Sequence, residues 1–273
     1  MTNAASITRR MFASLVRRRE DRIDLGMAAL LIAQEESPAL VIEDYVERLN
    51  YLGAEFHIDL PVDADAETAC RTLRRVLVDV HTFRGNREDY YNPANSYLDQ
   101  VLDRRLGIPI SLSIVYMEVA RRAGVTLLPV SFPGHFLLRH ADDTSFYLDP
   151  FNSGRILTLD NCRDLLRSMY PGAEFSESML GAATKRQVIT RLLLNLKGIY
   201  TRNEDAERAL RIVELLTAVT PWDLDQLRDR GILYYRTGQT DRAIADLQAF
   251  ADHAAPGPEV DSVREALRRL SPP

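Results

Sequence analysis

Apolar and polar positions follow a helical period through the first third of the chain. Met27-Ala28-Ala29-Leu30-Leu31-Ile32 is apolar all round, the pattern of a buried helix. Val41, Tyr45, Leu49 and Leu52 recur at helical spacing, so residues 1 to about 56 read as helices, and 57–61 reads as a connector. Leu73, Val76, Leu77, Val80 and Phe83 fall on one face of an amphipathic helix predicted over 66–83. Residues 87–95, rich in Asn, Asp, Tyr and Pro, predict an irregular loop. A short helix over 97–105 is broken at Gly107-Ile108-Pro109. A strongly apolar helix then runs from about 111 to 123, with Gly124 as its natural terminator.

The period next becomes that of strands. Segments 127–132, 136–139, 146–148 and 155–157 are short and rich in aromatic and branched residues. Helices first and strands later predict an α+β domain rather than an alternating parallel one. From Thr184 the chain is helical again, and it repeats. Tyr200 and Tyr234 are 34 apart, as are Ala209 and Ala243, Leu193 and Leu227, and Leu216 and Phe250. Pro221 and Pro256 close the two units. This is the period of the tetratricopeptide repeat, two helices per unit with small residues where helices cross. The expected organisation is an α+β core over 1–183 and an all-α repeat tail over 184–273. Two repeats cannot bury their own faces, so the tail is expected to dock on the core or on a last helix over 261–270.

Composition narrows the function. Hydrophobic residues make up 46% and charged residues 27% of 273, an ordinary globular balance. A net charge of −5 gives no overall pull toward nucleic acid or an anionic membrane. No apolar run approaches the ~20 residues of a membrane span. The arginines at 9, 10 and 17–19 lead into Glu20 and Asp21, which suits a solvated first helix better than a presequence. Cys70 and Cys162 are too few for a disulfide framework and form no CxxC, so a reducing, cytoplasmic setting is expected. His57, His81 and His253 are scattered and no zinc-ligand spacing occurs, so neither a metal nor a cofactor is expected.

The chemistry-bearing block spans 92–154. It reads Asn92-Pro93-Ala94-Asn95-Ser96, then Gly107-Ile108-Pro109-Ile110-Ser111, then Pro133-Gly134-His135-Phe136, then Asp149-Pro150-Phe151. Its order of helix, strand, strand carrying His and strand ending in Asp resembles the transglutaminase-like cysteine-peptidase fold. It is more closely similar to the bacterial SirB-type family, which joins such a core to tetratricopeptide repeats, and the resemblance covers nearly the whole chain. The resemblance implies a Cys at a helix N-terminus, a His that takes its proton and an Asp that orients the His. His135 and Asp149 match the last two by position. The Cys does not match: Gly107 and Gly124 anchor the pattern and put the nucleophile at Pro109.

Ser111 is the nearest hydroxyl. As a nucleophile it needs His135 within reach; as an N-cap it needs nothing more. Asn92, Asn95 and Ser96 either line a pocket or cap turns, with Asn95 or Ser96 as the cap of the next helix. A three-residue hairpin loop at 141–143 would set His135 opposite Asp149 on one face, whereas a four-residue loop would separate them. Two functions follow. The first is a non-catalytic protein-binding or regulatory module that engages a partner through 184–273, with no nucleic-acid or membrane partner. The second is a hydrolase or acyl-transferase using Ser111, His135 and Asp149.

Overall fold

A computed structural model describes residues 3–270; the first two residues of the expected core and the last three of the expected tail lie outside the described residues. α1 (Asn3–Val16) lies against α2 (Leu25–Glu36), in which Ala28 to Ala33 are all buried. Asp24 starts α2 by accepting the Met27 N–H at 2.8 Å, a side-chain N-cap. α3 (Ile42–Asp59) buries Leu49, Leu52 and Phe56 and runs on through most of the expected connector, while Val41 is its exposed N-cap. α4 (Ala66–Arg74) passes into a π-helical turn over Arg75–Val80. The wider turn changes the angular step per residue. Leu73, Val76, Leu77 and Phe83 therefore stay buried while Val80 swings out to solvent.

The loop predicted over 87–95 is framed by a short parallel pair absent from the sequence reading. β1 (Arg84–Gly85) pairs with β2 (Leu106–Gly107), with α5 (Leu98–Arg104) between them. α6 (Pro109–Arg122) follows, buried at every position from Pro109 to Ala120, and Gly124 behind it takes the left-handed φ of +83°. α6 packs between α3 and the sheet. That sheet is an antiparallel meander of β3 (Leu127–Val130), β4 (Leu137–His140), β5 (Tyr147–Asp149) and β6 (Arg155–Leu157), in the order β3-β4-β5-β6. α7 (Leu159–Met169) covers its far end, where Cys162 and Leu166 join Val130, Phe132 and Leu157 in a satellite cluster.

The tail forms two helix pairs and a last helix: α8 (Lys185–Arg202), α9 (Ala206–Val219), α10 (Leu224–Arg236), α11 (Thr240–His253) and α12 (Pro258–Leu270). Ala209 and Ala243 are buried, as small residues at helix crossings are. The first pair shares the main core. Val188, Leu192, Leu193 and Leu196 sit in one cluster with Phe12, Leu30 and Leu98, and Arg9 of α1 bridges Glu35 and Glu214. At the far end, Leu247 and Phe250 of α11 pack with Val260, Val263 and Leu267 of α12. The α+β class, with a helical N-terminal part, a small antiparallel sheet and an all-α tail, is the one the sequence predicts.

Candidate functional site

His135 stands in the turn just ahead of β4, and Asp149 is the last residue of β5. The imidazole Nε2 and Asp149 Oδ1 are 2.8 Å apart, with the residues 7% and 1% exposed. A carboxylate buried this deeply needs further donors. Asp149 is satisfied further by Asn152, whose backbone N–H donates to Oδ1 at 3.2 Å and whose side-chain amide donates to Oδ2. The His135 Nδ1 has no hydrogen-bond partner among the described residues. Phe151 stands edge-on to the imidazole at 6.0 Å, and Tyr90 packs on Phe151 at 5.8 Å.

The hairpin register explains the contact. Leu138 pairs with Leu148. Continued in step, Asp149 faces Leu137, and His135 lies two residues further along the same face. The three-residue loop at 141–143 is corrected: Leu138 stands opposite Leu148, a register shifted by two residues from the one such a loop would give. The parity that joins His135 to Asp149 survives, and they meet as diagonal rather than direct neighbours.

The structure does not bring Ser111 to this pair. Ser111 is 1% exposed; its hydroxyl accepts the Ile108 N–H at 3.0 Å and donates to the Asn95 carbonyl. Nor is it the N-cap: α6 begins at Pro109 with Ile108 as cap, and Ser111 reaches back from the third position. Asn95 and Ser96 do not cap α5, whose cap is Tyr97. Asn92 caps the short 3-10 turn Pro93–Asn95 by accepting the Ala94 N–H at 2.9 Å. Asn95 is fully buried and holds its loop together through the Asp89 carbonyl at 2.7 Å and the Asn86 side chain at 3.0 Å. The Ser96 hydroxyl is buried with no hydrogen-bond partner among the described residues. The cavity next to Phe151 has Asn86 and Arg87 on its wall rather than these three.

A family model described as the transglutaminase-like superfamily matches residues 43–194, more than half of the chain. The chain belongs to this superfamily. A tetratricopeptide-repeat model matches residues 196–268. A UPF0162 protein of Xylella fastidiosa is 36% identical over 264 residues, covering 92% of each chain. A UPF0162 protein of Vibrio cholerae is 30% identical over 254 residues, covering 92% of this chain and 94% of its own. F-box only protein 21 of Homo sapiens is 36% identical over 178 residues, which is 61% of this chain and 28% of the human one. No solved structure matches.

Within this transglutaminase-like core both cysteines are free and buried. Cys162 is fully buried in the satellite cluster, and burial, with a smaller push from the Asp149 charge, moves its thiol up to about 11. Burial moves Cys70 up to about 12. Both stay protonated near neutrality, and neither hydrogen-bonds to His135. No group of three His, Cys, Asp or Glu side chains that could hold a metal ion occurs among the described residues. No described helix is long and apolar enough to cross a membrane.

Asn152 and Phe151 are site residues that sequence reasoning missed. The signal was present in Asp149-Pro150: a carboxylate before Pro opens a turn whose later N–H groups return to the side chain.

Proposed function

We propose that this protein is a binding and regulatory module in which the core, residues 1–183, does not turn over a substrate and the tail, residues 184–273, engages a protein partner in the cytoplasm. The observation that carries this reading is the start of α6. Pro109 occupies its first position, where the resemblance to the SirB-type family puts the thiol, and the Ser111 hydroxyl is held by Asn95 and Ile108. A nucleophile needs a free lone pair and a base within reach. Supporting the tail's role, Leu194 on α8 and Ile232 and Tyr235 on α10 are exposed. These are the two helices that Lys197 ties together through Gln226 and Asp229. Exposed apolar side chains on helices tied to one another suit a partner surface.

The alternative, a hydrolase or acyl-transferase using Ser111, His135 and Asp149, is separated by labelling. Fluorophosphonate and iodoacetamide probes are applied to the full chain and to its Ser111→Ala and His135→Ala variants. No labelling that depends on Ser111 or His135 is expected; labelling lost in either variant would make the protein an enzyme. For the tail, Ile232→Asp with Tyr235→Asp is expected to abolish capture of a partner that the wild type retains.

A further inference from the structure

Asn152 reaches beyond Asp149. While its amide nitrogen donates to Asp149, its amide oxygen accepts from the Arg87 guanidinium. His135, Asp149, Asn152 and Arg87 thus form one hydrogen-bonded line from the buried imidazole to the surface. Arg87 also lies over the Phe151 ring, 5.4 Å from its centroid. The outer end of the line opens into a cavity of about 500 Å³, with Arg84, Arg87, Glu88, Phe151, Asn152 and Ser153 among its walls. A second cavity shares Asn152 and Ser153 and adds Arg155.

The charges here are unbalanced. Arg71 and Arg74 on the second cavity pair with Glu67 and Asp79. Arg84, Arg87 and Arg155 have no carboxylate partner among the described residues, and Glu88 is the one carboxylate on the first cavity's wall. Arg87 gives one N–H to Asn152 and a face to Phe151, which leaves the rest of its donor fork unused. Unneutralised guanidiniums around a concave wall focus field on anions, and their planar forks match oxyanions in particular.

We infer that this cavity binds an oxyanion, a carboxylate or phosphate group of a ligand. Arg84 and Arg87 seat it, with Arg155 at the edge, and its occupancy is relayed to His135 through Asn152 and Asp149. An anion drawing on Arg87 competes with the Asn152 oxygen for the same guanidinium, and the Asn152 amide is fixed at its other end by Asp149. The site does not depend on whether the core turns over a substrate.

Inorganic phosphate and acetate, titrated separately into the full chain at constant ionic strength with chloride as the balancing anion, test this. Calorimetry reads binding, and the imidazole NMR resonances read His135, assigned by their loss in His135→Gln. Saturable millimolar binding of at least one anion is expected. It should weaken about tenfold or more in Arg84→Gln and Arg87→Gln, the size of one lost charge-assisted hydrogen bond. Preference for phosphate assigns a phosphoryl ligand, and preference for acetate a carboxylate. The His135 resonance should move on binding in the wild type, and stay still in Asn152→Ala although the anion still binds. The inference is overturned if neither anion saturates, if binding is equal in wild type, Arg84→Gln, Arg87→Gln and Arg155→Gln, or if a bound anion leaves His135 unmoved. Arg84 and Arg155 are exposed, so their variants report on binding with the interior intact.

Discussion

The hydroxyls of Tyr97 and Tyr200 meet at 2.7 Å in the interior, joining the N-cap of α5 to the first tail helix. Burial pushes both phenols above their ordinary range, so each stays protonated and one donates to the other. Removing one hydroxyl leaves the other buried and unpaired, at a cost of about 1–3 kcal/mol. Tyr97→Phe and Tyr200→Phe should each lower stability by that much, and the double variant should recover most of the loss. A double-mutant cycle by urea unfolding measures this; additive single losses would contradict it.

Asp149 holds three donors at once: the His135 imidazole, the Asn152 N–H and the Asn152 amide. Asp149→Ala strands a buried imidazole and an amide together, for which about 3–5 kcal/mol is expected. Chemical unfolding checks it, and a loss under about 1 kcal/mol would mean that the network is ornamental to the fold.

How far the sequence reaches can be judged at the same site. The fold class, the four short strands, α6 and the 34-residue repeat follow from local periods, and those periods survive because each buried face repeats within a few residues. The His135–Asp149 contact was legible as parity: an odd loop puts both on one face whatever its length. What was hidden depends on contacts between distant segments. The β1–β2 pair joins Gly85 to Gly107 across α5, with no local signature in two residues a side. Val80 lies on the apolar stripe in sequence but leaves it, because the π-helical turn alters the period after Arg74. The Ser111 hydroxyl finds the Asn95 carbonyl, sixteen residues back, which no spacing rule within α6 reveals.

Gly85 faces Phe151 so closely that a Cβ there would sit 2.6 Å from the Phe151 carbonyl oxygen and 2.5 Å from its ring. Backbone cannot yield as a flexible side chain can. Gly85→Ala should therefore cost about 1–3 kcal/mol or more, read from the thermal midpoint. It should also displace Phe151 from His135, seen as a change in the imidazole ring-current shift. An unchanged shift would show that the β1 edge does not set Phe151.

Both thiols sit above the ordinary 9.0, Cys162 at about 11 and Cys70 at about 12. The unfolded chain releases these protons near pH 9 while the folded chain keeps them. The folded state then holds more protons, so stability is intact below pH 9 and falls as pH rises from there toward 11 and 12. Urea midpoints should decline less steeply over that window in the Cys70→Ala, Cys162→Ala double variant. A disulfide reagent at about pH 8 should label neither thiol until the chain unfolds.

The interior that runs from Phe12 through Leu30 to Leu193 and Leu216 gives the repeat array a direction. A free-standing solenoid can gain or lose units at either end. Here the first unit is mortared into the core, so its inner end is closed to such change. Growth or shrinkage by whole units is open only beyond α9, with α12 and its Val260, Val263 and Leu267 moving outward or inward as the lid of whatever length remains.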